Sequence, residues 1–203
     1  MMRAKANPNS SSCFFDRIAP IYGRNFRFQN QVYLKIYQRS HVREILSGCS
    51  SVLDIGCGTG AMASALREIG YQVTGVDASL GMLRQAKKFV PANEALCVLS
   101  DFTSGLPFQP KKFDVCLASY VAHGLKAPQR LALYSEMRRL AGKLVIIHDY
   151  TDKRSLITSI LEWGEGGDYF NFIKVVRDEI HDFFGNLQVV TVESRGALYI
   201  CQI

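Results

Sequence analysis

The chain has 203 residues, of which 48% are hydrophobic and 21% charged, with a formal net charge of +6. These values suit a single globular α/β domain with a sizeable core, and the sequence holds no internal repeat or low-complexity tract. No apolar run approaches the length of a bilayer span, so no membrane partner is expected.

The opening MMRAKANPNSSSC lacks the apolar stretch of a secretory signal and reads as a disordered tail, and a cytoplasmic protein is expected. Six cysteines (Cys13, Cys49, Cys57, Cys97, Cys116 and Cys201) form no CxxC pair, and no His stands at ligand spacing from them. They read as small apolar residues in a reducing compartment, and no metal site is expected. The excess charge is local. Residues 1–47 hold eight Lys or Arg and two acids, whereas the remainder is balanced. That segment is either a solvated helical face or an attraction for an anionic acceptor.

In chain order, residues 1–48 read as a helical cap of two segments broken near Pro20 to Arg24, with Gly48 as the stop. From residue 51 strands and helices alternate. SVLDI is a strand ending at a glycine loop, AMASALREIG a helix stopped by Gly70, and YQVTGVD a strand ending in Asp77. Ser79 is placed to cap the helix LGMLRQAKKFV. ALCVLSD is a third strand, FDVCLAS a fourth, PQRLALYSEMRRLAG a helix and KLVIIHDY a fifth strand. Strands this apolar, separated by helices, predict a parallel sheet covered on both faces.

The tail predicts a helix, DYFNFIKVVRDEIHDFFG, then strands LQVVTVE and ALYICQI joined by SRG. So short a link allows only an antiparallel pair. The expected fold is α/β: a Rossmann-like, doubly wound seven-stranded sheet, mostly parallel, with a C-terminal antiparallel hairpin. It forms one domain over 1–203, with the cap at 1–48, a cofactor-binding core at 49–150, and a lid segment, helix and hairpin at 151–203.

The loop VLDIGCGTG carries Gly56, Gly58 and Gly60, and passes the relaxed pattern of a dinucleotide pyrophosphate turn. Asp54 points elsewhere. A carboxylate two positions before Gly56 would repel a pyrophosphate and attract an ammonium or sulfonium. Asp77 ends the second strand and suits ribose hydroxyls, and Asp101 ends the third and suits an exocyclic amine. Three carboxylates at one sheet edge favour a cationic ligand.

VLDIGCGTG followed by VTGVDAS, LSDFTSGLPF and FDVCLASYVAHGL resembles the class I S-adenosylmethionine-dependent methyltransferases across residues 51–150. The N-terminal FFDRIAPIYGRN resembles the entry helix of small-molecule methyltransferases, including the quinone-biosynthesis C-methyltransferases, with Gly23 where an Asp is usual. The resemblance implies S-adenosyl-L-methionine as cofactor. Asp54, Gly56, Cys57, Gly58 and Gly60 would hold its methionine part, with Cys57 as packing. Asp77 and Ala78 would sit at the ribose, Asp101, Phe102 and Met82 at the adenine, Ser119 beside the methyl, and Tyr22 over the whole.

Methyl transfer from a sulfonium needs alignment and exclusion of water, plus a base only where the nucleophile holds a proton of high pKa. His123, after the fourth strand, is the candidate base; its alternative is a packed or backbone-bonded ring. At most one of His148 and Asp149 is expected to face the site, because strand neighbours alternate. Residues 151–172, with Trp163 and Gly164, Gly166 and Gly167, are either a mobile lid or a plain crossover. The function expected is methyl transfer to a small-molecule acceptor. An RNA methyltransferase and a non-catalytic cofactor-binding protein are the alternatives, and nucleic acid is the less expected partner because SYVAHGL is not the Asn/Asp-Pro-Pro-aromatic signature.

Overall fold

The computed structural model describes residues 10–89, 96–151 and 168–203, with side chains from Cys13 onward and, in the third strand, from Cys97. The expected disordered tail falls at its start on residues 1–9, and most of the expected lid, with Trp163, Gly164, Gly166 and Gly167, falls on 152–167; both lie outside the described residues. Seven strands run in the order β3-β2-β1-β4-β5-β7-β6. The chain divides into two compact units, residues 1–106 and 107–203.

In the first unit, helices α1 (Ser10–Arg24), α2 (Phe26–Tyr37) and α3 (Ser40–Ile45) precede β1 (Ser51–Ile55), α4 (Ala61–Glu68), β2 (Gln72–Asp77), α5 (Leu80–Phe89) and β3 (Leu96–Leu99). The three strands are parallel, with Asp54 opposite Gly75 and Gly75 opposite Cys97. Val52, Leu53 and Ile55 are all buried, as expected of a strand covered on both faces. Gly70 ends α4 at φ +105°, a conformation that favours glycine.

The cap differs from expectation in two ways. Pro20 lies inside α1, and the break comes at Asn25, whose amide closes on Tyr22 O at 3.0 Å. An exposed proline ring costs a helix one amide bond without forcing it to end. The second helical segment is itself divided, because Arg39 is extended (φ −61°, ψ 138°) and restarts the chain as α3.

Helix α1 lies against α5 so closely that a Cβ on Gly81 would stand 2.8 Å from Asp16 Cα. A Cβ on Gly23 would meet only the end of the Gln85 side chain, also at 2.8 Å. Gly23, where the resembled helix has Asp, therefore makes room for that contact. Asn30 of α2 donates to Ala61 O at 3.4 Å, joining the cap to the start of α4.

In the second unit, β4 (Phe113–Ser119), α6 (Ala127–Leu140), β5 (Ala141–Tyr150), α7 (Tyr169–Phe184), β6 (Gln188–Thr191) and β7 (Gly196–Gln202) follow. β4 and β5 are parallel, and β7 runs antiparallel to both β5 and β6. The short SRG connection thus makes the expected hairpin. Gly185 closes α7 in the left-handed conformation at φ 78°.

Buried Arg130 ties α6 to α7. Its guanidinium meets Glu179 in two bonds of 2.7 and 2.8 Å, Asp168 at 2.9 Å and Leu125 O at 2.7 Å. A buried charge is tolerated only when paired this fully. The Leu125 bond also fixes the segment that follows β4. No helix among the described residues is long and apolar enough to cross a membrane.

Candidate active site

The glycine loop is held by the strand beside it. Gly56, Gly58 and Gly60 take φ values of 74°, 54° and 81°, a region in which a side chain is strained. The amides of Gly56 and Cys57 both donate to Val76 O, at 2.8 and 3.0 Å. Gly58 N donates to Asp77 Oδ2 at 2.8 Å, and Gly60 N to Cys57 O at 2.9 Å. A phosphate cradle needs such amides for its anion. Here four of them are bonded within the loop and β2, which argues against the pyrophosphate reading.

Asp77 closes the turn from the other side. Its Oδ1 accepts Ser79 N at 2.7 Å while Oδ2 holds Gly58. Burial raises its pKa, against the lowering by the amides of Ser79, Gly58 and Ala78. Ser79 caps α5 as expected, its Oγ accepting Met82 N at 3.0 Å. The sequence reading missed Asp16 of α1, whose Oδ1 accepts both Ser79 Oγ at 2.6 Å and Gly81 N at 2.7 Å. A cross-helix cap has no local sequence signal.

Asp54 is the unusual group. It is 1% exposed, and neither carboxylate oxygen has a hydrogen-bond partner among the described residues. Burial, then Asp77 and Cys97, push its pKa up to about 8. A buried carboxylate is ordinarily paired. With burial and Asp77 both opposing its charge and no hydrogen-bond partner among the described residues, the carboxylate suits a cationic ligand.

Of the remaining expected contacts in this unit, Asp101 Oδ1 accepts Thr103 N at 2.9 Å and Thr103 Oγ1 at 2.8 Å, capping the 3-10 turn Phe102–Ser104. Phe102, Ala78 and Tyr22 are half-buried, and Met82 is buried in α5.

The second unit brings its own cluster together at the end of β4. His123 is 7% exposed, and its Nδ1 lies 2.8 Å from Oδ1 of fully buried Asp149. Asp149 Oδ2 also accepts the His123 amide at 3.2 Å, and Oδ1 accepts Tyr150 N at 2.8 Å. Aromatic rings surround the imidazole: Tyr150 at 4.8 Å, Tyr120 at 6.3 Å, Tyr169 and Phe172 at 6.5 Å.

His148 and Asp149, neighbours near the end of β5, make different contacts. Asp149 meets His123, whereas fully buried His148 lies under Tyr120, its pKa pushed down to about 4 by burial. Ser119 ends β4, half-buried, and Tyr120 follows at φ 53°, a strained conformation for a tyrosine. Its hydroxyl donates to Glu193 Oε2 at 2.8 Å.

Comparison with known proteins decides the class. A methyltransferase domain matches residues 53–145, which span the glycine loop, all three strand-end carboxylates and the His123 segment. The chain carries a methyltransferase domain of the S-adenosylmethionine-dependent kind.

This methyltransferase is 25% identical over 186 residues to an uncharacterised methyltransferase of Geobacillus sp. (strain WCH70), covering 87% of this chain and 84% of that one. It is 28% identical to a demethylmenaquinone methyltransferase of Renibacterium salmoninarum over 68% of this chain and 58% of the relative. The magnesium protoporphyrin IX methyltransferase of Synechocystis PCC 6803, solved with bound S-adenosylhomocysteine, shares the fold at TM-score 0.59 and 17% identity, over 88% of this chain and 85% of that one.

The methyltransferase's own residues fit that cofactor. S-adenosylmethionine presents an ammonium at its methionine end, the partner that the orphaned Asp54 carboxylate lacks. When bound, it supplies an electrophilic methyl on a sulfonium. The bond from Gly58 N to Asp77 would then shape the loop, and Asp54 and Asp77 would present carboxylates toward the ends of β1 and β2.

Proposed function

We propose that this methyltransferase acts on a small molecule bearing a hydroxyl, and that His123 removes the hydroxyl proton. The observation that carries this reading is the 2.8 Å contact between His123 Nδ1 and buried Asp149. A buried carboxylate at Nδ1 orients the imidazole and favours its protonated form once a proton has been taken up, the support that a histidine base needs. The ring of Tyr120, Tyr150, Tyr169 and Phe172 around it suits a flat, largely apolar acceptor rather than a polyanion.

On the cofactor side, we assign the methionine end to Asp54 and the loop Gly56, Cys57, Gly58 and Gly60. The ribose goes to Asp77 and Ala78, the adenine to Asp101, Phe102 and Met82, and the methyl region to Ser119, with Tyr22 as cover. In doubly wound sheets ligands lie along the carboxyl ends of the strands, where the glycine loop, Asp77, Asp101 and Ser119 all fall in sequence.

The test is release of S-adenosylhomocysteine from S-adenosylmethionine with a panel of phenols and hydroxyquinones. Turnover that rises with pH through the imidazole range and falls in His123→Ala supports the reading. Turnover indifferent to His123 contradicts it.

A polyanionic acceptor is the second reading, favoured by one feature of the first unit. An open groove of about 550 Å³ is lined by Arg24, Arg27 and Lys88, with Pro20 and Phe89 between them and no acid. Tight, salt-sensitive binding of RNA in a gel-shift titration would favour that reading over the small molecule.

A further inference from the structure

We propose that Cys57 and Cys97 form a peroxide-oxidisable thiol pair, a modification site at the base of the cofactor loop whose disulfide weakens cofactor binding. The proposal rests on the reading of Gly56 to Gly60 as that loop.

The geometry begins with Gly75. It stands in β2 with Asp54 opposite on β1 and Cys97 opposite on β3. A Cβ added there would meet Cys57 Sγ at 2.8 Å and Cys97 Sγ at 3.6 Å. The volume that a side chain would fill is therefore where both sulfurs converge. In the sequence they are forty residues apart and read as separate core residues.

The two sulfurs are unlike. Cys57 is buried, and the Cys97 interaction and burial raise its pKa. Cys97 is half-buried, and contact with the Cys57 thiol lowers its pKa, with the Arg67 and Lys87 charges adding to the effect against burial and Asp77. Cys97 is thus the accessible thiolate and Cys57 the resolving thiol, the asymmetry that reactive pairs use.

The oxidant is hydrogen peroxide. The Cys97 thiolate attacks one peroxide oxygen, the O–O bond breaks, and hydroxide leaves with the electron pair, giving Cys97 sulfenic acid. Cys57 sulfur then attacks the sulfenic sulfur, forming the S–S bond; the leaving oxygen takes the Cys57 proton and departs as water. Sulfur is oxidised by two electrons in total and the peroxide is reduced by two.

A disulfide requires the sulfurs to close to about 2 Å. Cys57 reaches Cys97 by moving into the Gly75 space, and its backbone carries the loop with it. That motion strains the Cys57 N to Val76 O bond and the adjoining Gly58 N to Asp77 bond. The cofactor loop loses its shape while the rest of the sheet is untouched.

The experiment treats the whole chain with hydrogen peroxide and titrates it with S-adenosylhomocysteine before oxidation, after it, and after dithiothreitol. The expected result is a non-reduced peptide joining Cys57 to Cys97, affinity weakened by about tenfold or more, and recovery on reduction. Cys97→Ser should bind before treatment and keep its affinity after it. Absence of the linked peptide, unchanged affinity in the linked protein, or equal loss in Cys97→Ser overturns the proposal. If Cys97→Ser does not fold, the wild-type mapping and recovery decide alone. Failure of untreated protein to bind S-adenosylhomocysteine would instead overturn the loop reading, since the mapping is scored without ligand.

Discussion

Asp149 grips His123 twice, through the ring Nδ1 at 2.8 Å and through the backbone amide at 3.2 Å. The first contact orients the ring and the second sets the position of the segment that carries it. His123→Ala is expected to lower turnover by roughly a hundredfold, the usual size of a general-base contribution. Asp149→Asn keeps the shape but removes the charge. It should lower turnover and shift the acidic limb of the pH profile, where the base loses its proton, while leaving S-adenosylhomocysteine affinity unchanged. Steady-state kinetics and calorimetry on the two variants check this.

Asp77 has two duties, since it ties the glycine loop and faces the ribose in our assignment. Losing its bonds to Gly58 and Ser79 should destabilise the protein by about 2 kcal/mol, the scale of a buried charge-assisted bond. Asp77→Ala should therefore lower the melting temperature and weaken S-adenosylhomocysteine by an order of magnitude or more. Thermal melts and calorimetry measured side by side separate the two effects.

Asp54 predicts a pH dependence. Its folded pKa of about 8 lies above the unfolded value of 3.8, so the unliganded protein is favoured below the unfolded value and loses that stability as pH rises to about 8. A bound ammonium favours the ionised carboxylate. Near pH 7, binding of S-adenosylhomocysteine should therefore release a fraction of a proton. Calorimetry in two buffers of different ionisation enthalpy reads that proton directly. Asp54→Asn should abolish the release and remove the loss of unliganded stability toward pH 8.

The two glycines between α1 and α5 should behave differently. Gly81→Ala places a Cβ 2.8 Å from the Asp16 backbone, which cannot move without shifting α1. A destabilisation of about 1–3 kcal/mol is expected from such overpacking. Gly23→Ala meets only the flexible end of Gln85 and should be near neutral. Urea unfolding of both variants tests the contrast.

Much of this was legible in the chain. SVLDI and FDVCLAS are strands with the predicted bounds because continuous apolar runs specify buried parallel strands. Gly56, Gly58 and Gly60 take positive φ, as a tight turn before α4 requires. Local patterns foresaw Ser79 as a cap and SRG as a hairpin link.

What stayed hidden is what only folding brings together. Asp16 reaches α5 from 65 residues away, and Cys57 and Cys97 both approach the space beside Gly75 of β2. The His123–Asp149 contact joins two strand ends, which alternation along β5 could narrow but not choose. Pro20 misled for the opposite reason: a strong local breaker lies inside α1, and the chain turns at Asn25 instead.

The central claim is that the loop after β1 seats a cofactor whose cationic end answers Asp54. Calorimetric titration with S-adenosylhomocysteine, on the wild type and on Asp54→Asn, tests it most directly. Saturable binding by the wild type and weakening by about tenfold or more in the variant is the predicted result. No binding at roughly millimolar ligand, or equal affinity in the two proteins, would contradict it.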